Sequence, residues 1–249
     1  MPQIRTRGII IRKVEVGEAD RIFTLLTADR GKVRVIAKGV RRGRAKLAGY
    51  LDLLRCNDFE ITEGRNLDIV TGATTVMNFG EDMDNLEMFG VKLYLCELIE
   101  KLIEEETPAH GVFELLFETL NALQGKLLSA NLAKSYFEMK FLSLLGMAPQ
   151  VQQSVVSHRD LSDQSRLYFS SHLGGVVAEG ESYDDNTLIG ISVTGIKLLR
   201  ALIEWPISEV VKIKMDPGIV SEVEYISADY TGYALEYRSK TKRVMGELV

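Results

Sequence analysis

Arg21-Ile22-Phe23-Thr24-Leu25-Leu26-Thr27-Ala28-Asp29-Arg30-Gly31-Lys32-Val33-Arg34-Val35-Ile36-Ala37 is the stretch that decides the fold. Residues 21–27 are rich in β-branched and apolar types. Asp29-Arg30-Gly31 is a hairpin-type turn whose glycine tolerates the tight backbone. Residues 32–37 open with polar–apolar alternation, the period of a strand with one face on a core. The stretch therefore reads as a β-hairpin. Upstream, residues 7–16 are β-rich around Ile9, Ile10 and Ile11, and Gly17-Glu18-Ala19-Asp20 turns the chain into the hairpin. Downstream, strand-like runs near residues 53–61 and 67–76 flank the turn Glu63-Gly64-Arg65-Asn66. Five short strands joined by hairpins predict a small barrel over residues 1–80. The OB type is the commonest of that size, and an SH3-like barrel fits the pattern nearly as well.

The hydrophobic period then changes. Leu86, Phe89, Leu93, Cys96, Ile99 and Ile103 recur every three or four residues and predict an amphipathic helix ended by Glu104-Glu105-Glu106 and Pro108. Val112, Leu115, Leu116, Thr119 and Leu123 predict a second helix ending at Gly125. Leu132, Ser135, Tyr136, Met139, Leu142 and Leu145 predict a third, ending at Gly146 before Pro149. The three together suggest a bundle. Residues 149–190, rich in Ser, Gln, Asp and Gly, predict a loop-rich insert with one hairpin around Leu167-Tyr168-Phe169 and Gly175-Val176-Val177. Helical spacing returns from Val193 to Trp205 and again from about Ile219 to Tyr237. The predicted class is α+β: a five-stranded OB-type barrel (1–80), a helical domain in two parts (81–148 and 191–249), and the insert (149–190) between them.

Charge is distributed unevenly. Residues 1–46 hold 13 Lys+Arg and 4 Asp+Glu, a balance of +9. The remaining 17 Lys+Arg and 31 Asp+Glu give −14, and the chain totals −5. A polyanion would be attracted to one end and repelled by the rest. The basic run holds Lys32, Arg34, Lys38, Arg41, Arg42, Arg44 and Lys46 without an acidic residue, and Gly39 and Gly43 let backbone and guanidinium groups approach phosphates. This suits backbone-directed nucleic-acid binding; the competing reading is a solvated basic loop. Phe23, Tyr50 and Phe59 are candidates for stacking on bases or for the barrel core. A second cluster, with Lys240, Lys242 and Arg243, suits either a nucleic-acid contact or a helix C-terminus.

Catalytic patterns are missing. His110, His158 and His172 lie apart and no HExxH or GxxxxGK[ST] occurs. Glu104-Glu105-Glu106, Asp82-Met83-Asp84 and Asp184-Asp185 read as solvated clusters, and Cys56 and Cys96 as reduced core residues. No apolar run reaches the roughly 18 residues of a membrane span, and the N-terminus does not open a signal peptide. A cytoplasmic, non-enzymatic protein without a cofactor is expected.

Several stretches together resemble RecO proteins. Arg7-Gly8-Ile9-Ile10-Ile11-Arg12 is similar to the family's first strand, and Gly17-Glu18-Ala19-Asp20-Arg21-Ile22 to its GE-x-DRI turn. Ala37-Lys38-Gly39-Val40-Arg41-Arg42 matches its basic loop, and Phe141-Leu142-Ser143-Leu144-Leu145-Gly146-Met147-Ala148-Pro149 its LLxLLGYAP helix end. Tyr168-Phe169-Ser170 and Gly174-Gly175 echo its central insert, and Arg238-Ser239-Lys240 its C-terminal motif. The resemblance implies an OB-fold domain, a helical domain and a small insert. It implies binding of single- and double-stranded DNA, annealing of complementary strands, and help in loading recombinase onto strands coated with single-strand-binding protein. The implied partners are RecR and, in some members, the tail of the single-strand-binding protein. Many members hold zinc with two CxxC pairs; here the corresponding positions are Ser154, Ser157, Ala178 and Glu181, so no zinc site is expected. A serine that often follows the loop arginines is Ala45 here. The alternative function is an RNA- or ribosome-associated OB protein; a third is an adaptor whose basic face meets an acidic protein.

Overall fold

The computed structural model describes residues 3–43, 45–81, 85–107, 110–161, 166–181 and 187–236. Of these, the residues up to Gln124 form one compact unit and those from Gly125 onward form another.

In the first unit five strands form a ring: β1 (Gln3–Val16), β2 (Asp20–Thr27), β3 (Gly31–Ala37), β4 (Arg55–Thr62) and β5 (Asp68–Asn78), in the spatial order β1-β2-β3-β5-β4. β1 serves two neighbours. Residues 3–9 pair with β4 and residues 8–16 pair with β2, and the register shifts between Ile10 and Arg12. The extra residue of a bulge bends a strand and increases its twist, which lets one strand curl around a small barrel. The ring closes through a short parallel seam, Val35↔Asp68 and Ile36↔Ile69. This is the OB-type order, and it decides against the SH3-like alternative.

Alternation fills the barrel. Ile10, Phe23, Leu25, Val33, Val35, Phe59, Ile61 and Val70 point inward, and Val40 and Leu51 from the β3–β4 connection join them. Phe23 and Phe59 are therefore core residues. Tyr50, 43% exposed, is the one of the three stacking candidates at the surface.

Two helices follow in the same unit, α1 (Leu86–Leu102) and α2 (Val112–Gln124). Asn85 caps α1 by accepting from the Met88 N–H at 3.1 Å. The buried Lys92 ammonium donates to the Phe79 carbonyl at 2.8 Å, and Phe79 meets Phe117 edge-on with centroids 5.5 Å apart. These contacts fasten the helices to the end of β5.

The second unit contains α3 (Ala130–Leu144), α4 (Val193–Glu204), α5 (Ile207–Val210) and α6 (Pro217–Ala234), with β6 (Leu167–Ser170), β7 (Gly175–Ala178) and β8 (Ile189–Ile191). α3 packs on α4 and α6. The three-helix bundle expected from consecutive periodicity is thus corrected: α1 and α2 belong with the barrel, and α3 belongs with helices found later in sequence. Periodicity identifies an apolar face but not the surface that covers it. α6 starts at Pro217 because Asp216 accepts from the Gly218 N–H and proline suits the first turn; the expected end at Tyr237 lies outside the described residues. The insert hairpin β6–β7 gains β8 as a third strand, and Phe169 packs edge-on against Tyr230 of α6 at 5.6 Å.

Candidate nucleic-acid interface

The thirteen basic residues of the first 46 are not one surface. Arg5, Arg7, Arg12, Lys13, Arg21, Arg30, Arg34 and Arg41 each lie within ion-pair distance of a carboxylate. Their partners are Glu60, Asp58, Glu100, Asp52, Asp68 and Glu105 from later in the chain, and Glu15 for both Arg21 and Arg41. Folding therefore brings part of the acidic remainder back over the basic segment. Exposed pairs of this kind add little stability, but they neutralise the field locally.

Lys32 is corrected from its expected role. It is 7% exposed, and its ammonium donates to the Glu100 carbonyl in the last turn of α1. The Lys32 carbonyl in turn accepts from the Glu106 N–H at 2.8 Å. A cation at a helix C-terminus is favourable, so this lysine fastens β3 to α1. Arg34 is exposed, with Nε 3.8 Å from Glu105.

The β3–β4 connection behaves differently. Lys38, Arg42 and Lys46 are exposed, and no carboxylate is paired with them among the described residues. Gly39 adopts φ +67, and a Cβ built there would lie 3.6 Å from Arg42 Cδ, so the Arg42 stem folds over this turn. The loop continues as local turns, with the Arg42 N–H donating to the Gly39 carbonyl at 3.1 Å and the Ala45 N–H to the Arg42 carbonyl at 2.9 Å. It then enters the single 3-10 turn Lys46–Gly49. Val40 and Leu47 anchor its apolar side on the barrel core. Arg44, Lys240, Lys242 and Arg243 lie outside the described residues.

Beside this loop the barrel carries a feature that one-dimensional reading missed. Val14 pairs with Ile22, Ile22 with Ile36, and Ile36 with Ile69. The neighbouring Phe23, Val35 and Val70 point into the core, so these four form one row on the outer face. Val14 is 42% exposed and the three isoleucines are half-buried. The row runs into a groove of about 740 Å³ lined by Ile36, Lys38, Leu67, Ile69 and the turn of residues 63–66. Every second residue of each strand was visible in the sequence; the register that aligns four strands was not.

No group of three or more His, Cys, Asp or Glu is placed to hold a metal among the described residues. Both cysteines are buried, and burial pushes the Cys56 thiol up to about 11, away from nucleophilic use. His172 Nδ1 meets the Tyr233 hydroxyl at 2.8 Å. The insert positions do not fit zinc. The buried Ser154 hydroxyl donates to Glu181 Oε2, which also accepts from the Ala178 N–H at 3.0 Å. Burial raises the Glu181 carboxyl, but hydrogen bonds from Ser154, Ser157 and the Ala178 N–H outweigh it and hold the pKa below the ordinary value. Two hydroxyls, a methyl group and an engaged carboxylate do not make a tetrahedral thiolate set.

The barrel-and-helix order has its counterpart in known proteins. The family description "Recombination protein O N terminal" matches residues 1–79, and "Recombination protein O C terminal" matches residues 83–243. The chain belongs to the recombination protein O family. Among relatives, the DNA repair protein RecO of Dehalococcoides mccartyi is 34% identical over 236 residues, covering 95% of this chain and 92% of the relative. The protein of the same name from a Roseiflexus species is 32% identical over 232 residues, 93% of this chain and 81% of the relative. That of Bifidobacterium adolescentis is 29% identical over 247 residues, 98% of this chain and all of the relative. The match begins with the barrel and continues through the helices of both units, so the family covers the whole described architecture. No helix among the described residues is long and apolar enough to cross a membrane.

Proposed function

We propose that this chain binds DNA without sequence preference through the β3–β4 loop and the outer face of the barrel, and acts in recombinational repair by holding strands rather than by breaking bonds. The observation that carries this reading is the exposure of Lys38, Arg42 and Lys46 on one loop, without carboxylate partners among the described residues, while eight neighbouring cations are paired. Such a loop neutralises phosphates and releases counterions, a sequence-independent source of affinity. The aliphatic row and its groove give unpaired bases an apolar surface beside that loop, which favours single strands. Arg44, Lys240, Lys242 and Arg243 extend the proposed contact set.

Neutralising two strands lowers their mutual repulsion, so complementary strands anneal without a nucleotide cofactor, driven by base pairing. Family membership supports the further step of helping recombinase onto strands coated with single-strand-binding protein, with RecR and the tail of that protein as partners, in the cytoplasm. The test is an annealing assay with complementary oligonucleotides in the absence of nucleotide and metal, run beside ATPase and nuclease assays. Accelerated annealing with neither hydrolytic activity is the expected result. Hydrolysis of ATP or DNA that a point substitution in this chain abolishes would overturn the non-catalytic reading.

A further inference from the structure

The β1–β2 turn and the start of the β3–β4 loop are tied together by polar contacts that the charge pattern alone would place in opposition to DNA binding. Asp20 Oδ1 accepts from the Gly39 N–H at 2.7 Å. The Arg41 N–H donates to the Ala19 carbonyl at 2.9 Å. Arg41 Nη1 donates to the Gly17 carbonyl at 3.0 Å, and Nη2 forms an ion pair with Glu15 Oε2 at 3.1 Å. The other oxygen of Glu15 takes Arg21 Nη2 at 3.0 Å. Gly17 and Gly39 both hold positive φ, +56 and +67, so each side of this junction is a tight turn.

These bonds divide two adjacent arginines. Arg41 spends its fork on the β1–β2 turn, whereas Arg42, one residue on, reaches solvent. We infer that Glu15 and Asp20 are positioning residues for DNA binding: through Arg41 and the Gly39 N–H they fix where the basic loop leaves the barrel, and so hold Arg42 and Lys46 where a phosphate backbone meets them. The inference rests on the proposed role of the loop in binding DNA. Val40 and Leu47 secure the loop's apolar side, so the carboxylates set the loop's geometry rather than the barrel's stability. Asp20 acts through an acceptor oxygen and Glu15 through its ion pair with Arg41, so neither acts by repelling a polyanion.

That distinction gives opposite signs. If only the field mattered, deleting an acidic side chain beside a polyanion would tighten binding. If positioning matters, Asp20→Ala and Glu15→Ala weaken it, on the order of five-fold each, the factor associated with one missing hydrogen bond. Asp20→Asn, which keeps an acceptor oxygen for the Gly39 N–H and loses the charge, binds as tightly as the original chain or tighter, whereas Glu15→Gln, which loses the ion pair with Arg41, weakens binding as Glu15→Ala does. The experiment is equilibrium binding of a fluorescent mixed-sequence single-stranded oligonucleotide to the full-length protein across a salt series, with thermal unfolding of every variant. Glu15 is exposed, so its variants remain informative even if Asp20→Ala folds poorly. Tighter or unchanged binding by the alanine variants, or Asp20→Asn as weak as Asp20→Ala, would overturn the inference. A parent protein that shows no salt-dependent binding overturns the underlying reading as well, and is recognised before any variant is compared.

Discussion

At the β3–β4 loop Lys38, Arg42 and Lys46 face water with no carboxylate opposite them among the described residues, whereas in the insert Ser154, Ala178 and Glu181 close on one another. Both segments are rich in polar residues, and both fall where the family resemblance implies a ligand. The first leaves its polar groups open to an outside partner. The second satisfies them internally, with Glu181 accepting where a metal would otherwise gather thiolates. What marks a binding surface is thus a set of groups that folding leaves unsatisfied but solvated, because only these gain a full interaction when a ligand arrives. The eight paired cations on the same barrel make the point again: like the insert, they are already engaged.

The strongest way to break this comparison is to remove the open charges. Replacing Lys38, Arg42 and Lys46 together by alanine is expected to weaken DNA binding about 10- to 100-fold at moderate salt. The log–log salt slope should flatten by about 0.7 to 0.9 for each phosphate that is no longer neutralised. Replacing the paired Arg5, Arg7 and Arg30 should have a much smaller effect. Fluorescence anisotropy across a salt series decides, and equal losses from the two triple variants would show that total charge, not its pairing, governs binding.

The aliphatic row sharpens the same contrast. Ile22→Ser with Ile36→Ser is expected to weaken single-strand binding about three- to ten-fold, while duplex affinity stays within about two-fold, since a duplex keeps its bases stacked inside. Equal losses on both substrates would assign the row a purely structural role.

In the insert the effect falls on stability. Glu181→Ala leaves the buried Ser154 hydroxyl and the Ala178 N–H without their acceptor and should cost about 1 to 2 kcal/mol. Because the folded pKa of Glu181 lies below its unfolded value, its contribution is present above the ordinary glutamate pKa of about 4.3 and is lost as the pH falls through the lower folded value. Thermal unfolding between about pH 3 and pH 6 should show this dependence in the parent protein and less of it in Glu181→Gln. Elemental analysis should find far less than one zinc per chain; about one would overturn the reading of the insert.

The smallest expected effect on binding is at Lys32. Lys32→Met removes the ammonium from the Glu100 carbonyl and should cost about 1 kcal/mol of stability, yet leave DNA affinity within about two-fold. A loss matching that of Arg42→Ala would return Lys32 to the interface.

Much of the fold was legible in advance. Strand alternation around Phe23, Leu25, Val33 and Val35, the glycine turn at residue 31, and the change of period after residue 85 placed the barrel and most helices. β8 escaped because three residues, Ile189–Ile191, are too few for a period to show. Consecutive periodicity points to the wrong bundle because α3 finds its partners, α4 and α6, only after the insert has intervened. At the candidate site the basic loop is visible in the sequence, but residue type and spacing place Lys32 in it as well, because they do not reveal burial.

Sequence by itself determined the local terms. Side-chain alternation, glycine at the left-handed turns, caps such as Asn85, Ser129 and Ser192, and the positions of the cations are all properties of residues and their near neighbours. Only the tertiary structure decided which charges are free. Arg5 meets Glu60, Arg7 meets Asp58 and Arg30 meets Asp68 across separations of 55, 51 and 38 residues, and Val14, Ile22, Ile36 and Ile69 align only through the register of the closed ring. Coulomb interaction and desolvation depend on distance in space, which chain closure sets, and a linear count of charges contains no such distances.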